Sequence, residues 1–274
     1  MRQPAPGDRR SYPRARKRFG QHFLEAAWVA KLIDSLSPAP GDVFLEIGPG
    51  RGALTRPLAR RVGRVIAIEI DRDLAASLAA DTPAHVRVVQ GDFLDADLNA
   101  LLGDEQRPVR VVGNLPYNIS SPILFRLLEV ADAGRMLSDA TVMLQKEVAD
   151  RIVARPGTSD YGALAIQVAL TADVERVLTL PPGAFRPPPK VTSAVVRFRF
   201  RAPSVDVGDR ALFERVVRGV FLHRRKTLLN ALKPVADAVG KEARPVLEHA
   251  GIDPQLRPES LTVDDMARLS RAML

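Results

Sequence analysis

The stretch VRVVGNLPY (residues 109–117) joins a short apolar run to a turn that contains asparagine, proline and tyrosine. Valine-rich runs that stop at turn residues are typical of buried strands, so we expect the turn to lie at the carboxyl end of its strand. Ligands bind at that end in open α/β sheets. The Asn114 amide offers an acceptor and donors, and Tyr117 offers a flat face, so the turn suits a planar ring with an exocyclic amine. An ordinary strand-to-helix turn uses the same residue types.

The patterns around this stretch alternate between strand and helix. Strand-like runs occupy 43–47, 64–70, 86–90, 109–113 and 140–145, and helical patterns lie near 52–62, 73–80, 121–130 and 146–154. A helix near 25–36 comes first, and a helix at 163–172 and strands at 174–180 and 194–201 follow. The βαβα order predicts an α/β fold with a parallel sheet and helices on both faces.

The pattern changes along the chain and predicts three regions. Residues 1–16 are rich in proline and arginine and are expected to form a basic, disordered tail. Residues 17–204 are predicted to form the α/β domain. From about Val205 onward only helical patterns remain, so residues 205–274 are predicted to form a small all-helical domain.

Composition narrows the class of protein. The chain has 274 residues, and 46% of them are hydrophobic, which is enough for a full core. No window approaches the ~18 uninterrupted apolar residues of a membrane span, and the first residues lack an apolar signal-peptide core. The chain has no cysteine and four scattered histidines, so we expect no disulfide and no metal site. These features predict a cytoplasmic protein.

Charge points to an anionic partner. The formal net charge is +8, and residues 1–20 contribute seven basic side chains against Asp8, which is +6 of that total. Tails of this kind reach along phosphate backbones, and this favours nucleic acid as the partner. A solvated tail that only aids solubility has the same composition.

A second motif, LEIGPGRGA (residues 45–53), follows a predicted strand and opens a helix. Glycines at that place let a ligand approach the backbone and its N–H groups. The motif fits G-x-G-x-x-G/A, and Glu69 lies 21 residues beyond Gly48, which also suits a dinucleotide-dependent dehydrogenase. Glu46 and the tighter spacing created by Gly52 favour S-adenosylmethionine. A purely structural glycine turn is the third possibility.

Two acids end successive strands beside the glycine loop. Glu69 ends the second strand of the α/β pattern, where a carboxylate can accept both hydroxyls of a ribose. Asp92 follows the third strand, where it can accept from an adenine amino group. Each acid alone is more often a helix cap or an ion-pair partner, but their matching positions favour a nucleoside site.

Six segments together resemble the ribosomal RNA adenine dimethyltransferases. They are FGQHFL (19–24), EIGPG (46–50), NLPYNIS (114–120), LQKEVA (144–149), FRPPPKV (185–191) and RRKTL (224–228). The chain resembles the bacterial small-subunit branch more than the relatives that confer macrolide resistance, which typically have isoleucine at Leu115. The resemblance implies a Rossmann-like, S-adenosylmethionine-dependent methyltransferase domain followed by a helical RNA-binding domain.

The resemblance also implies roles for individual residues. The cofactor-binding set is Gln21, His22, Leu24, Glu46, Gly48, Gly50, Glu69, Asp92 and Asn114, and the catalytic set is Asn114, Leu115, Tyr117 and Phe185. The RNA-binding set is Lys190, Arg224, Arg225 and Lys226. The chain departs from the common pattern at His22, where the family usually has asparagine, and at Thr192, where it usually has aspartate.

A mechanism follows from this set. The Asn114 oxygen and the Leu115 carbonyl are expected to accept from the adenine amine, while Tyr117 stacks on the flipped base and Phe185 closes its other face. The expected product is N6,N6-dimethyladenosine at two adjacent adenosines near the 3′ end of 16S ribosomal RNA in the small subunit or its precursor. The alternatives are a large-subunit RNA methyltransferase and a non-catalytic small-subunit assembly factor. Nothing in the sequence demands a dimer, so a monomer is expected.

Overall fold

A computed structural model describes residues 22–134 and 136–274 of the chain. The predicted tail at 1–16 and Gln21 lie outside the described residues. Nine strands occur in the described part. They are β1 (Phe23–Leu24), β2 (Val43–Ile47), β3 (Arg64–Glu69), β4 (Val86–Gln90), β5 (Val109–Asn114), β6 (Leu137–Gln145), β7 (Ala172–Leu180), β8 (Phe185–Arg186) and β9 (Ser193–Phe200).

Eleven α-helices accompany these strands in the same described ranges. They are α1 (Ala26–Leu36), α2 (Thr55–Ala59), α3 (Arg72–Ala80), α4 (Leu98–Leu102), α5 (Ser120–Gly134), α6 (Lys146–Ile152), α7 (Ala163–Thr171), α8 (Arg210–Leu222), α9 (Leu228–Asp237), α10 (Ala243–Ala250) and α11 (Val263–Ala272). The predicted order of strands and helices is confirmed, and α4 and the two-residue strands β1 and β8 are additions to it.

Seven strands form the central sheet in the order β4-β3-β2-β5-β6-β9-β7. The first five are parallel, whereas β9 runs antiparallel to both β6 and β7. The parallel sheet predicted from the βαβα order is confirmed for β2 to β6, and the later strands β7 and β9 add an antiparallel edge to it. The connection from Leu180 to Ser193 contains no α-helix that could carry the chain across the sheet, so β7 and β9 meet as a long hairpin.

Both faces of the sheet are buried, which explains the continuous apolar runs of its strands. Side chains alternate between two cores. Leu45, Ile66 and Val111 pack in the core on one face. Their neighbours Phe44 and Val65 pack in the core on the other face, together with α1. The two-residue period of the strands thus sets the two layers of helices.

The helix after β2 is shorter than predicted. The pattern indicated a helix near 52–62, but α2 begins only at Thr55 and ends at Ala59. Gly48, Gly50 and Gly52 all have positive φ angles, of 67°, 57° and 77°. A helix cannot pass through a positive φ, so the glycine loop delays the start of α2.

The four C-terminal helices, α8 to α11, form a third core. It is built from residues such as Phe213, Val217 and Leu247, and α7 contributes Ile166 and Leu170 to it. The predicted helical C-terminal region is confirmed, while the limits 17–204 and 205–274 stay a prediction. In the residues that the structure describes, no helix is both long enough and apolar enough to cross a membrane.

Candidate active site

A cleft lies at the carboxyl ends of β2, β3 and β5, where the strand order reverses. From β2 the sheet continues through β3 and β4 on one side and through β5 and β6 on the other. Such a switch point opens a crevice above the sheet. The glycine loop, Glu69 and the Asn114–Tyr117 turn line this cleft together with β1. The strand ends therefore bring the two sequence motifs together, as predicted.

The glycine loop is held open toward the cleft. The Gly48 N–H donates to the Ile68 carbonyl at 2.9 Å, and a Cβ placed on Gly48 would meet no atom within 4 Å. That side chain would protrude into the cleft. A Cβ on Gly50 would instead lie 3.2 Å from the Phe23 ring of β1. The loop thus presents bare backbone to a ligand, which is the role that glycine serves in nucleotide-binding turns.

Glu69 is buried, with 4% of its surface exposed, and both carboxylate oxygens are oriented by backbone amides. Oε2 accepts from the Gly50 N–H and Oε1 from the Asp71 N–H, each at 2.9 Å. Burial raises the pKa of Glu69, and the backbone donors oppose that rise. Each oxygen keeps a further lone pair, so the carboxylate can still accept two hydroxyl groups.

The Asn114 side chain has a fixed orientation. Its Nδ2 donates to the His22 carbonyl oxygen at 2.6 Å. A carbonyl oxygen only accepts hydrogen bonds, so the amide nitrogen must face it and Oδ1 must face the other way. The acceptor atom of Asn114 is therefore the one left for a ligand amine.

Tyr117 and His22 tie three segments together at the mouth of the cleft. Their rings are nearly parallel, with centroids 5.9 Å apart and planes at 22°. The Tyr117 hydroxyl is hydrogen-bonded to Ser193 Oγ, and His22 Nδ1 lies 2.8 Å from the Pro187 carbonyl oxygen. Burial raises the pKa of Tyr117, and the hydrogen bond to Ser193 opposes that rise. The tyrosine ring is thus held in place beside Asn114.

Phe185 is not part of the cleft. The side chain is completely buried in the core beside α1 and does not line the cleft, so the prediction that it closes on the target base was wrong. It occupies β8, whose pairing with β1 places Phe185 opposite Leu24. The aromatic side chain anchors this two-stranded sheet from below, and a short strand pair needs such an anchor to be stable.

Two predicted cofactor ligands also lie outside the lining of the cleft. Glu46 is 1% exposed beneath the glycine loop, and its Oε2 has no hydrogen-bond partner in the described structure. Burial raises the pKa of Glu46 to about 7, with a further contribution from the Glu69 carboxylate. Asp92 follows β4, and its Oδ1 accepts from the Leu94 N–H at 2.9 Å, which makes it a turn cap in this structure.

The predicted RNA-binding residues fall into two groups. Arg224 forms an ion pair with Glu259 at 3.0 Å. Arg225 and Lys226 are exposed in the turn between α8 and α9, and Lys190 is exposed in the loop between β8 and β9. None of these three has an ion-pair partner in the described residues. Across the same ranges, no three acidic or histidine side chains converge on a possible metal site.

The residues lining the cleft that sequence reasoning missed include Phe23, Leu54, Ile70 and Met143. The Arg51 guanidinium lies 4.2 Å above the Phe23 ring, so this aromatic covers the glycine loop. Ile70 is 42% exposed although it directly follows a buried strand. Ile70 could have been identified from the sequence, because it is an apolar side chain that directly follows the carboxylate at the end of a strand. Met143 gave no such signal, because it resembles any other strand residue.

Comparison with known proteins agrees with this geometry. A family model for ribosomal RNA adenine dimethylase matches residues 13–273. A small-subunit ribosomal RNA methyltransferase A from Aromatoleum aromaticum is 48% identical over 94% of this chain and 93% of its own. The protein of the same name from Chromobacterium violaceum is 46% identical over 93% of this chain and 94% of its own.

Two solved structures share the architecture. A dimethyladenosine transferase from Plasmodium falciparum is similar with a TM-score of 0.76 and 27% identity, covering 90% of this chain and 96% of that one. The 23S ribosomal RNA methyltransferase ErmE is similar with a TM-score of 0.65 and 29% identity, covering 92% and 99%.

The match covers the glycine loop, the Asn114–Tyr117 turn and the C-terminal helices together. A dinucleotide-dependent dehydrogenase would leave the second and third of these without a role. The cleft at the switch point and the match along almost the whole chain lead to the same conclusion: the chain belongs to the ribosomal RNA adenine dimethylase family.

Proposed function

We propose that this protein transfers methyl groups from S-adenosylmethionine to N6 of two adjacent adenosines near the 3′ end of 16S ribosomal RNA. The product is N6,N6-dimethyladenosine, and the substrate is the small ribosomal subunit or its precursor, so the protein takes part in small-subunit biogenesis. The orientation of Asn114 is the observation that carries the proposal, because its free oxygen lies beside a nucleoside-type cleft. The names of relatives at 46–48% identity support the same substrate.

The residues of the cleft fit S-adenosylmethionine, which supplies an electrophilic methyl group when bound. The open backbone at Gly48 leaves room for the aminoacyl end, and His22 and Leu24 lie on the same side of the cleft. Glu69 is held by two amides so that it can accept from the ribose hydroxyls. The second carboxylate oxygen of Asp92 would accept a hydrogen bond from the amino group of the cofactor adenine. Glu46 would contribute to cofactor binding from its buried position beneath the glycine loop.

The chain activates the target amine by positioning it. Adenine N6 is a poor nucleophile because its lone pair is delocalised into the ring. Acceptance of its two N–H bonds by Asn114 Oδ1 and the Leu115 carbonyl would favour a pyramidal nitrogen and free the lone pair. The lone pair would then be free to take the methyl group that bound S-adenosylmethionine supplies, and the amine proton would leave to water afterwards. No strong general base is required, so positioning and electrostatics carry the catalysis.

Tyr117 would support the flipped base by stacking. Aromatic side chains bind extruded bases in this way, and a stacked base contributes about 1–3 kcal/mol to binding. The hydrogen bond between the Tyr117 hydroxyl and Ser193 fixes the ring in place. A fixed ring next to Asn114 Oδ1 would hold the base in position for methyl transfer to its N6.

We propose further that the protein acts as a monomer in the cytoplasm, where the small subunit is assembled. The likeness to ErmE supports the alternative of a large-subunit substrate. This support is weaker, because the chain is 29% identical to ErmE and 48% identical to the small-subunit methyltransferase from Aromatoleum aromaticum. The alternative of a non-catalytic assembly factor leaves the oriented Asn114 without a task.

Methyl transfer from labelled S-adenosylmethionine to small subunits that lack the modification tests the proposal. Large-subunit RNA is incubated in parallel. We expect label in the small subunit alone. Label in the large-subunit RNA would assign the protein to the other branch, and tight particle binding without transfer would favour the assembly factor.

A further inference from the structure

The outer face of α8 carries a row of exposed side chains. Arg215, Arg218 and Leu222 are exposed, and their spacing of three and four residues places them on one side of the helix. The opposite side is buried through Phe213, Val216, Val217 and Val220. We call Arg215, Arg218, Leu222, Arg225 and Lys226 the α8 surface.

Three of the four cations of the α8 surface have no ion-pair partner among the described residues, and the fourth is largely exposed. Arg215, Arg225 and Lys226 have no ion-pair partner in residues 22–134 and 136–274. The side chain of Arg218 is 61% exposed and lies 3.5 Å from Glu214, which Arg210 also contacts at 3.2 Å. Arg224 differs because Glu259 already neutralises it at 3.0 Å. The surface therefore has a clear positive excess.

Contacts with α5 show where this surface lies relative to the cleft. Arg210, at the start of α8, pairs with Asp132 near the end of α5 at 3.3 Å. Arg218 then lies 5.7 Å above the ring of Phe125, earlier in α5. The two helices thus run in opposite directions. Ser120 begins α5 and directly follows the turn that contains Tyr117.

This antiparallel arrangement places Leu222 toward the end of α5 that follows the active-site turn. With a rise of about 1.5 Å per residue, Leu222 lies about 6 Å beyond Arg218 along α8. Ser120 lies about 7.5 Å before Phe125 along α5. The end of α8 and the beginning of α5 therefore face the same edge of the molecule, and the α8 surface leads toward the cleft.

Leu222 is a large apolar side chain that is 80% exposed and lies between the cations of the α8 surface. A large apolar side chain in that position gains nothing from water, whereas nucleic-acid-binding proteins place such side chains against sugars and base edges. RNA helices have a wide, shallow minor groove that exposes sugars to contact. The two flanking sets of cations are suited to the phosphates on either side of such a groove.

We propose that the α8 surface binds a helical segment of the substrate RNA, with Leu222 in its minor groove and Arg215, Arg218, Arg225 and Lys226 on the phosphates. This inference rests on the proposed function, since it names the surface that aligns the RNA with Tyr117. Arg224 is outside this surface and acts as an internal ion-pair partner. The surface would select a folded particle over a short single strand.

Particle binding across a series of salt concentrations tests this inference, with full-length protein and unmethylated small subunits. The double variant R215Q/R218Q is expected to bind more weakly and to lower the salt slope by about 1.8, which corresponds to two lost phosphate contacts on a duplex. Leu222→Ser is expected to weaken binding about tenfold with an unchanged slope. The matched controls are Arg244→Gln on α10 and Leu274→Ser, both of which alter exposed residues away from this surface.

The outcomes separate this inference from the proposed function. If wild-type protein methylates the particle and the α8 variants bind like their controls, the surface is wrong and the function stands. If wild-type protein binds the particle without methylating it and the α8 variants lose binding, the function is wrong and the surface stands. Deproteinised small-subunit RNA is titrated in parallel. Loss of binding to the particle with no change on this RNA would assign the surface to a ribosomal protein and overturn the proposal.

Discussion

Asn114→Ala is the substitution that tests the site most sharply, because the structure separates two tasks of this side chain. Nδ2 holds the His22 carbonyl at 2.6 Å, and Oδ1 is left for the target amine. A hydrogen bond to a group that gains charge contributes about 1.5–3 kcal/mol, and a neutral one about 0.5–1.5 kcal/mol. Alanine removes both bonds, but only the first acts on the chemical step, so the barrier of that step should rise by about 1.5–3 kcal/mol, or about 10- to 160-fold in rate.

The two tasks should appear in different measurements. Single-turnover methyl transfer with saturating protein reports the chemical step, and it should show the larger loss. Calorimetric titration with S-adenosylmethionine reports the anchoring of the His22 segment, and its dissociation constant should rise no more than about tenfold. Asn118→Ala is the matched control, since Asn118 is exposed in the same loop. A wild-type single-turnover rate for Asn114→Ala would refute the role of its oxygen.

Three further substitutions test other parts of the account. The folded protein keeps the Glu46 proton up to about pH 7, whereas an ordinary glutamate releases it near 4.5, so the free energy of unfolding should fall by about 3 kcal/mol as pH rises through that window. Glu46→Gln should remove this fall in urea titrations at pH 5 and 8, and an unchanged pH dependence would contradict the buried carboxyl. Glu69→Gln should lower the affinity for S-adenosylmethionine about 10- to 100-fold in calorimetry, because the variant loses charge-assisted hydrogen bonds to the ribose hydroxyls. An unchanged affinity would show that Glu69 is not part of the cofactor site. Phe185→Leu should cost about 1–3 kcal/mol of stability and leave the transfer rate of the folded protein unchanged, whereas a specific loss of RNA affinity would restore Phe185 to the site.

The order of strands and helices could be predicted because each element carries its own periodicity. The position of the cleft followed from it, since the motifs at Gly48, Glu69 and Asn114 each end a strand and parallel strands end at one edge. These predictions needed only local sequence and one topological rule.

Other features depend on contacts between distant residues, and local sequence did not reveal them. The antiparallel β7–β9 hairpin depends on which strand occupies the edge of the sheet. Phe185 resembled a ligand-contacting aromatic in a proline-rich loop, but pairing between β8 and β1 turns it into the core. The His22 carbonyl that orients Asn114 belongs to a segment 92 residues away, so its part in the site appears only in three dimensions.

Nucleoside analysis of the small subunit after reaction tests the central claim most directly. Unmethylated particles are incubated with this protein and S-adenosylmethionine, the 16S RNA is digested, and the modified nucleosides are mapped and counted. The account predicts N6,N6-dimethyladenosine at two adjacent positions near the 3′ end, and far less of it with Asn114→Ala over the same reaction time. Modified adenosine elsewhere in the RNA, or dimethyladenosine formed equally well by Asn114→Ala, would contradict it.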